Sequence, residues 1–217
     1  MLLLNALVAI FTLLMLVRHG PRALLFLAPG AVRITGDATS LPRASGQVAA
    51  GELLAQLGFR RLGLRRERGP LGGLYMEVDA WVHPDGTCAD AFPVAGREVV
   101  VSFLTAFADG FVVGTSNFRR GAVESPRGRV GGIAGARAEG ALAAHRKALE
   151  PLAVAHGAPR PVADLDARIA LARQFYAGIG AKELRRPSLM SLLNAALALL
   201  LLVTSLRQVL RALGVLE

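Results

Sequence analysis

The chain has 217 residues, a formal net charge of +9 and a single cysteine, Cys88. A chain of this length can bury one ordinary hydrophobic core, and one thiol excludes an internal disulfide bond. Hydrophobic residues make up 53% of the sequence, which is high for a water-soluble protein, and much of that excess lies at the two ends.

The amino-terminal segment, residues 1–17, carries no ionisable side chain. Its length is at the short limit for a transmembrane helix. A secretory signal peptide would have Lys or Arg before the apolar run, whereas Arg18 and Arg22 follow it, ahead of a second apolar patch at residues 23–32. We therefore predict a membrane anchor over residues 1–29 that ends in an interfacial or domain-contacting segment, with a cleaved signal as the alternative.

The next region predicts a linker and one helix. Residues 33–45 mix turn-forming residues without a clear period, and residues 45–57 place apolar side chains at helical spacing. Gly58 is a suitable end for that helix. The basic stretch at residues 59–69 is then expected to connect the helix to a sheet.

Two hairpins provide the clearest fold signal. The first turns at residues 83–87 (HPDGT) and the second near Asp109. The flanking segments alternate as half-buried strands do. Together they predict a four-stranded antiparallel meander with strands at residues 74–82, 87–94, 98–107 and 111–118.

Two helices are predicted after the sheet. Residues 119–135, rich in Gly and Arg, indicate an exposed loop, and helices follow at residues 136–155 and 162–184. The order of helix, strands and helices is that of an α+β domain. We expect this domain over residues 30–186, with its helices packed on one face of the sheet.

The carboxyl-terminal region contains the longest apolar run. Residues 187–206 hold no ionisable side chain, and as a helix they would reach about 30 Å, the thickness of the hydrocarbon core of a bilayer. We predict a transmembrane helix with a short amphipathic tail over residues 187–217.

Basic residues near the two apolar ends predict an orientation. Only Arg207 and Arg211 follow the second apolar run. The domain side carries a larger set: Arg18, Arg22, Arg33, Arg168, Arg173, Lys182, Arg185 and Arg186. This asymmetry places the domain in the cytoplasm. The bias towards Arg and Ala is typical of a GC-rich genome, and we expect a protein of a bacterial inner membrane.

The strongest candidate site is one face of the first hairpin. Period-two alternation points five side chains the same way: Tyr75, Glu77, Asp79, Trp81 and His83. Two carboxylates, an imidazole and the one tryptophan could bind a ligand or perform acid–base catalysis. A polar outer face is also what a solvated antiparallel sheet normally has. Two further histidines, His145 and His156, are expected at the surface or end of their helix.

Arginines of the Gly-rich loop are candidates for contact with anionic lipid headgroups or phosphate: Arg119, Arg120, Arg127 and Arg129. Nucleic-acid binding is disfavoured because 16 acidic residues are dispersed among the bases. No second Cys or paired-His motif accompanies Cys88, which alternation turns away from His83. The sequence therefore predicts no metal and no cofactor.

These observations favour a binding function at a membrane. We expect a membrane-anchored module that binds a partner or a small ligand, or a subunit of a membrane complex. The alternative is a membrane-tethered hydrolase that uses Glu77, Asp79 and His83. The lipid bilayer is the expected partner, and Asn5 and Asn194 inside the apolar segments could hydrogen-bond between helices, in a homo-oligomer or with another membrane protein.

Overall fold

A computed structural model describes residues 2–42, 45–72, 74–93, 99–118 and 121–215. The chain divides into two compact units. The terminal unit comprises Met1–Ala31, Gly69–Leu74 and Glu183–Glu217, and the central unit comprises Val32–Arg68 and Tyr75–Lys182.

Within the described residues the chain forms five α-helices: α1 (Leu2–Leu27), α2 (Ser45–Gln56), α3 (Ala138–His156), α4 (Leu165–Ala177) and α5 (Ile179–Ala212). The same residues form eight strands: β1 (Arg33–Asp37), β2 (Arg60–Arg68), β3 (Tyr75–Val82), β4 (Cys88–Phe92), β5 (Val100–Ala106), β6 (Val112–Ser116), β7 (Val123–Ser125) and β8 (Gly128–Gly132). Short 3-10 helices occur at Pro29–Ala31 and Pro70–Gly72.

Among the described residues, two helices are long and apolar enough to cross a membrane, over Leu3–Leu27 and Ser188–Ala212. The sequence predicted a first span ending at residue 17, but α1 continues as one helix through Arg18 and Pro21. A proline removes only the hydrogen bond of its own nitrogen, and neighbouring groups can compensate in an apolar helix. The second apolar patch therefore extends the same helix.

Small side chains are buried within the terminal unit. On α5 four buried positions recur every three or four residues, and a fifth follows seven residues later: Ser188, Ser191, Ala195, Ala198 and Ser205. On α1, Thr12 is buried, and its hydroxyl donates to the carbonyl oxygens of Val8 and Ala9. Small residues let helices approach closely, which matters where lipid supplies no hydrophobic drive for helix association.

One eight-stranded sheet forms the centre of the second unit, in the order β1-β2-β3-β4-β5-β6-β8-β7. The α+β class is confirmed, and the predicted meander corresponds to β3–β6, but the prediction of a four-stranded antiparallel sheet was wrong. The linker contains β1, the basic stretch after α2 is β2, and the Gly-rich loop contains the hairpin β7–β8. Strands β6 and β8 pair in parallel, so the sheet is mixed.

Helices cover both faces of this sheet, so the prediction of helices on one face was wrong. On one face α2 and α3 pack on an apolar cluster that includes Trp81, Ala89 and Phe103. On the other face α4 packs on β1 and β2, and its Arg168 reaches Asp90 of β4. Adjacent residues Ala89 and Asp90 are both buried. A strand buried on both faces does not show the polar–apolar alternation from which a covered face is inferred.

Gly128 forms the junction between the β7–β8 hairpin and β6. Its φ is +151°, and a Cβ atom there would lie 2.2 Å from the carbonyl oxygen of Val112, its partner in the parallel pairing. Glycine is the residue that combines this backbone conformation with so close an approach.

We expect Gly128→Ala to lower the free energy of unfolding by more than about 1 kcal/mol, because the added methyl group must displace β6. Gly140→Ala is the matched control: Gly140 lies in α3 with open space at its Cβ position, and alanine there should stabilise the helix by about 0.5–1 kcal/mol. Thermal unfolding in detergent micelles, followed by circular dichroism, measures both. Equal midpoints for the two variants would contradict this packing.

Candidate ligand-binding site

The predicted hairpin face is not a single solvated surface. Tyr75 is 61% exposed, whereas Trp81 is 8% exposed and Asp79 is fully buried. Glu77 and His83 are half-buried. The apolar cluster beneath α2 includes Trp81, so this helix covers part of the face. The five candidates therefore lie in different environments.

The two carboxylates of that face bind arginines of β2. Asp79 Oδ1 accepts from Arg61 Nε at 2.7 Å, and its Oδ2 accepts from Trp81 Nε1 at 2.7 Å. Burial raises the pKa of Asp79, although both donors oppose that rise. Glu77 Oε1 accepts from Arg66 Nε at 3.2 Å. Both carboxylates thus hold neighbouring strands together.

His83 has partners at both ring nitrogens. Nδ1 lies 2.9 Å from Asp85 Oδ2, and Nε2 lies 3.3 Å from Arg146 Nη2. Nδ1 also lies 3.3 Å from the backbone nitrogen of Asp85, and because a guanidinium can only donate, Nε2 accepts from Arg146. Burial opposes ionisation of Asp85, but hydrogen bonds from Thr87 and His83 outweigh it and lower its pKa. This arrangement leaves no ring nitrogen available to act as a general base.

The arginines predicted to contact an anion do not converge within the part of the chain that the structure describes. Arg119 and Arg120 lie outside the described residues. Arg129 Nη2 donates to the carbonyl oxygen of Ala148 on α3 at 2.7 Å. Arg127 is exposed beside a cavity of about 260 Å³. The role of this set in anion contact stays a prediction.

The predicted contacts of the apolar helices also stay predictions. Asn5 on α1 and Asn194 on α5 are half-buried. A half-buried amide in a bilayer needs a hydrogen-bond partner, which a second helix can supply.

A network of buried charged residues between the sheet and α4 belongs to none of the predicted sites. Its members are Arg65 and Glu67 of β2, Asp90 of β4, and Arg168 and Tyr176 of α4, each at most 9% exposed. Arg65 Nη1 lies at ion-pair distance from Glu67 Oε1, 3.1 Å, and Arg65 Nη2 donates to Asp90 Oδ2 at 2.8 Å. Arg168 Nη2 donates to the same oxygen of Asp90, and the Tyr176 hydroxyl donates to Glu67. The formal charges of two guanidinium groups and two carboxylates cancel.

This network borders a cavity of about 70 Å³, which we call the α4 cavity. Its lining includes the charged side chains of Arg65, Asp90 and Arg168. Apolar, half-buried side chains also line it: Met76, Phe92 and Phe175. The cavity therefore combines a polar wall with an apolar one, as small-molecule sites commonly do.

Several polar atoms of the network have no hydrogen-bond partner among the described residues: Nε and Nη1 of Arg168, Nε of Arg65 and Oδ1 of Asp90. Leaving a buried polar group unpaired costs about 1–3 kcal/mol, and more for a charged group. Burial opposes ionisation of Arg65, yet the Asp90 and Glu67 carboxylates outweigh it and raise the pKa of its guanidinium. Arg65 therefore stays charged, and its Nε has no hydrogen-bond partner in the part of the chain that the structure describes.

Two sequence signals point to this network. The stripe of α4 that includes Leu165, Ile169 and Ala172 also contains Arg168 at helical spacing, which places a guanidinium on the buried side. In β2, Arg65 and Glu67 share one face by period two. Charged residues are almost never fully buried unless they are paired, and pairing between distant strands cannot be recognised from one sequence.

Comparison of the chain with protein-family models, with curated proteins and with solved structures found no match.

His145 lies in the interior, so the expectation of a surface or helix-end position was wrong. Its Nε2 is 2.9 Å from the hydroxyl of Thr105 and its Nδ1 is 3.0 Å from that of Thr115. Burial lowers the pKa of His145 to about 4. The imidazole is therefore neutral and joins α3 to β5 and β6. His156 lies near the end of the same helix, with Nδ1 2.7 Å from Asp109 Oδ2.

We expect His145 to make the protein less stable in acid. Its folded pKa is below the value of about 6.5 for an unfolded histidine, so the unfolded chain takes up the proton first as the pH falls. The stabilising contribution of the neutral His145 to the free energy of unfolding is fully present above pH 6.5. It decreases as the pH falls to about 4, by about 3 kcal/mol in total. Chemical unfolding between pH 7 and 4 should show a smaller pH dependence for His145→Gln than for the wild type; identical profiles would contradict the buried neutral imidazole.

Proposed function

We propose that the protein is a membrane-anchored module that binds a small molecule in the α4 cavity. The observation that carries this proposal is Arg168, whose side chain is 1% exposed while two of its three guanidinium nitrogens have no partner among the described residues. A ligand that donates to or accepts from these atoms would supply hydrogen bonds that the described residues do not make.

A purely structural role explains the network less well. Replacing a buried ion pair with apolar residues of similar volume is often neutral or stabilising. A core that needed only stability would therefore be served by apolar side chains at positions such as Arg65 and Arg168. Binding gives the unpaired atoms a function, since a site built to hydrogen-bond its ligand discriminates strongly against analogues that leave its polar groups unpaired.

The contacts of the predicted hydrolase residues favour binding over hydrolysis. Asp79 and Glu77 hold arginines of β2, and both nitrogens of His83 have partners. Acid–base catalysis would require at least one of these groups to reach a substrate. The α4 cavity lies on the opposite face of the sheet from Trp81.

We further propose that both apolar helices cross the membrane and that the central unit lies in the cytoplasm. Cytoplasmic segments next to membrane spans carry an excess of basic residues. Arg168 is buried and is left out of this comparison, but the remaining basic residues on the domain side still outnumber Arg207 and Arg211. Exposed apolar residues are frequent on both helices, as on a lipid-facing surface; examples are Leu3 at 74% and Met190 at 62%.

Cysteine labelling tests this orientation. In a Cys88→Ala background, Val154→Cys places a thiol on the central unit where the native side chain is 91% exposed, and Leu213→Cys places one beyond the second apolar run, where it is 60% exposed. In intact cells we expect an impermeant maleimide to label position 213 and to spare position 154. Both should react after permeabilisation; labelling of position 154 alone in intact cells would reverse the orientation.

The binding proposal is tested with two variants of one cavity residue. Ser102 lines the α4 cavity and is half-buried in β5. We expect the full chain in detergent micelles to bind small polar organic fragments in saturation-transfer NMR. Ser102→Ala should retain binding because it keeps the cavity, whereas Ser102→Ile should lose it because the larger side chain fills the space. Equal binding by both variants, or no binding by the wild type, would overturn the proposal.

A further inference from the structure

We infer that the α4 cavity selects a neutral ligand that carries a carbonyl oxygen beside an N–H group, as a primary carboxamide does, on a short apolar substituent. This inference rests on the proposed small-molecule function and specifies the chemical class of the ligand. It depends on the unpaired atoms of the network, on the balance of charge around them and on the apolar wall.

The unpaired atoms require a ligand that both accepts and donates. Nε and Nη1 of Arg168 and Nε of Arg65 are donors, because arginine has no acceptor. Oδ1 of Asp90 is an acceptor. A carboxamide offers a carbonyl oxygen to the guanidinium groups and an N–H group to the carboxylate from a single carbon. A ketone would satisfy only the donors.

Charge balance favours a neutral ligand over an ion. Arg65 and Arg168 are already matched by Glu67 and Asp90 at ion-pair distances. An anion would add negative charge next to two buried carboxylates, where repulsion is only weakly screened. A cation would meet two buried guanidinium groups. The network therefore recognises a dipole better than a net charge.

The apolar wall accommodates the rest of the ligand. Met76, Phe92 and Phe175 are half-buried at the cavity, and Leu104 and Ala172 are buried beside it. A short alkyl group would be removed from water there, which is favourable in proportion to the apolar area that it buries. A volume of about 70 Å³ limits the ligand to a small molecule.

Three probes of similar size separate these requirements: butyramide accepts and donates, butyrate is an anion, and 2-pentanone only accepts. NMR titration of the full chain in detergent micelles should give butyramide an affinity at least about tenfold higher than either of the others, the effect of one additional well-formed hydrogen bond to a charged group. Ser102→Ile should abolish the binding of butyramide, whereas Val154→Ile, which enlarges an exposed side chain of α3 away from the cavity, should preserve it.

Asp90→Asn tests the charge balance. The substitution removes one negative charge from the network, so we expect butyrate to bind more tightly than butyramide, the reverse of the wild-type order. Asp166→Asn is the matched control, since Asp166 is an exposed residue in the first turn of α4 and should keep the wild-type order. If circular dichroism shows that Asp90→Asn does not fold, the inference is tested by the order of affinities of the three probes for the wild type.

The outcomes distinguish the inference from the function on which it rests. Tightest binding of butyrate, or equal binding of 2-pentanone and butyramide, would overturn the carboxamide inference and leave a small-molecule site in place. Failure of all three probes, while other fragments bind in a Ser102-dependent manner, would overturn it as well. Failure of every fragment would overturn both.

Discussion

The central unit depends on burying two guanidinium groups beneath α4. Removing a charge from water costs several kcal/mol even after the protein relaxes, so each arginine must meet carboxylates at hydrogen-bond distance. Asp90 serves both, and this shared acceptor joins β2, β4 and α4. Directional bonds, in addition to apolar packing on β1 and β2, therefore set where α4 lies on the sheet. The same bonds leave three donors and one acceptor of the network without a hydrogen-bond partner among the described residues.

The two faces of the sheet are stabilised by different interactions. Beneath α2 and α3 the contacts are mostly apolar. The buried Asp79 is paired there with Arg61 and Trp81, and His145 of α3 avoids the cost of a charge because it stays neutral between two threonine hydroxyls. Beneath α4 the charges are retained and paired. A neutral imidazole needs only two hydrogen bonds, whereas a guanidinium has five donors, so complete pairing is harder to achieve on the α4 side.

The sequence predicted what local periodicity determines. The apolar helices, the strands β3–β6 and the α+β class follow from runs and alternation that neighbouring residues define. Strand β2 was missed because Arg65 and Glu67 have the composition of a surface segment, and their burial depends on Asp90 and Arg168, which are distant in sequence. The hairpin face was predicted as a surface because one sequence cannot show that α2 covers Asp79 and Trp81. Both the burial of β2 and the covering of the hairpin face by α2 depend on contacts between residues that are distant in sequence.

Trp81 is the only tryptophan in the chain, and its position determines what optical experiments report. The indole is 8% exposed, packs in the cluster beneath α2, and donates to Asp79. Tryptophan fluorescence therefore monitors the layer formed by α2 and α3 on the sheet. It responds little to structural changes beneath α4. A change in emission signals loosening of the α2–α3 layer, while circular dichroism averages over every helix. Comparing the two signals during unfolding shows whether the layers separate in one step or in sequence.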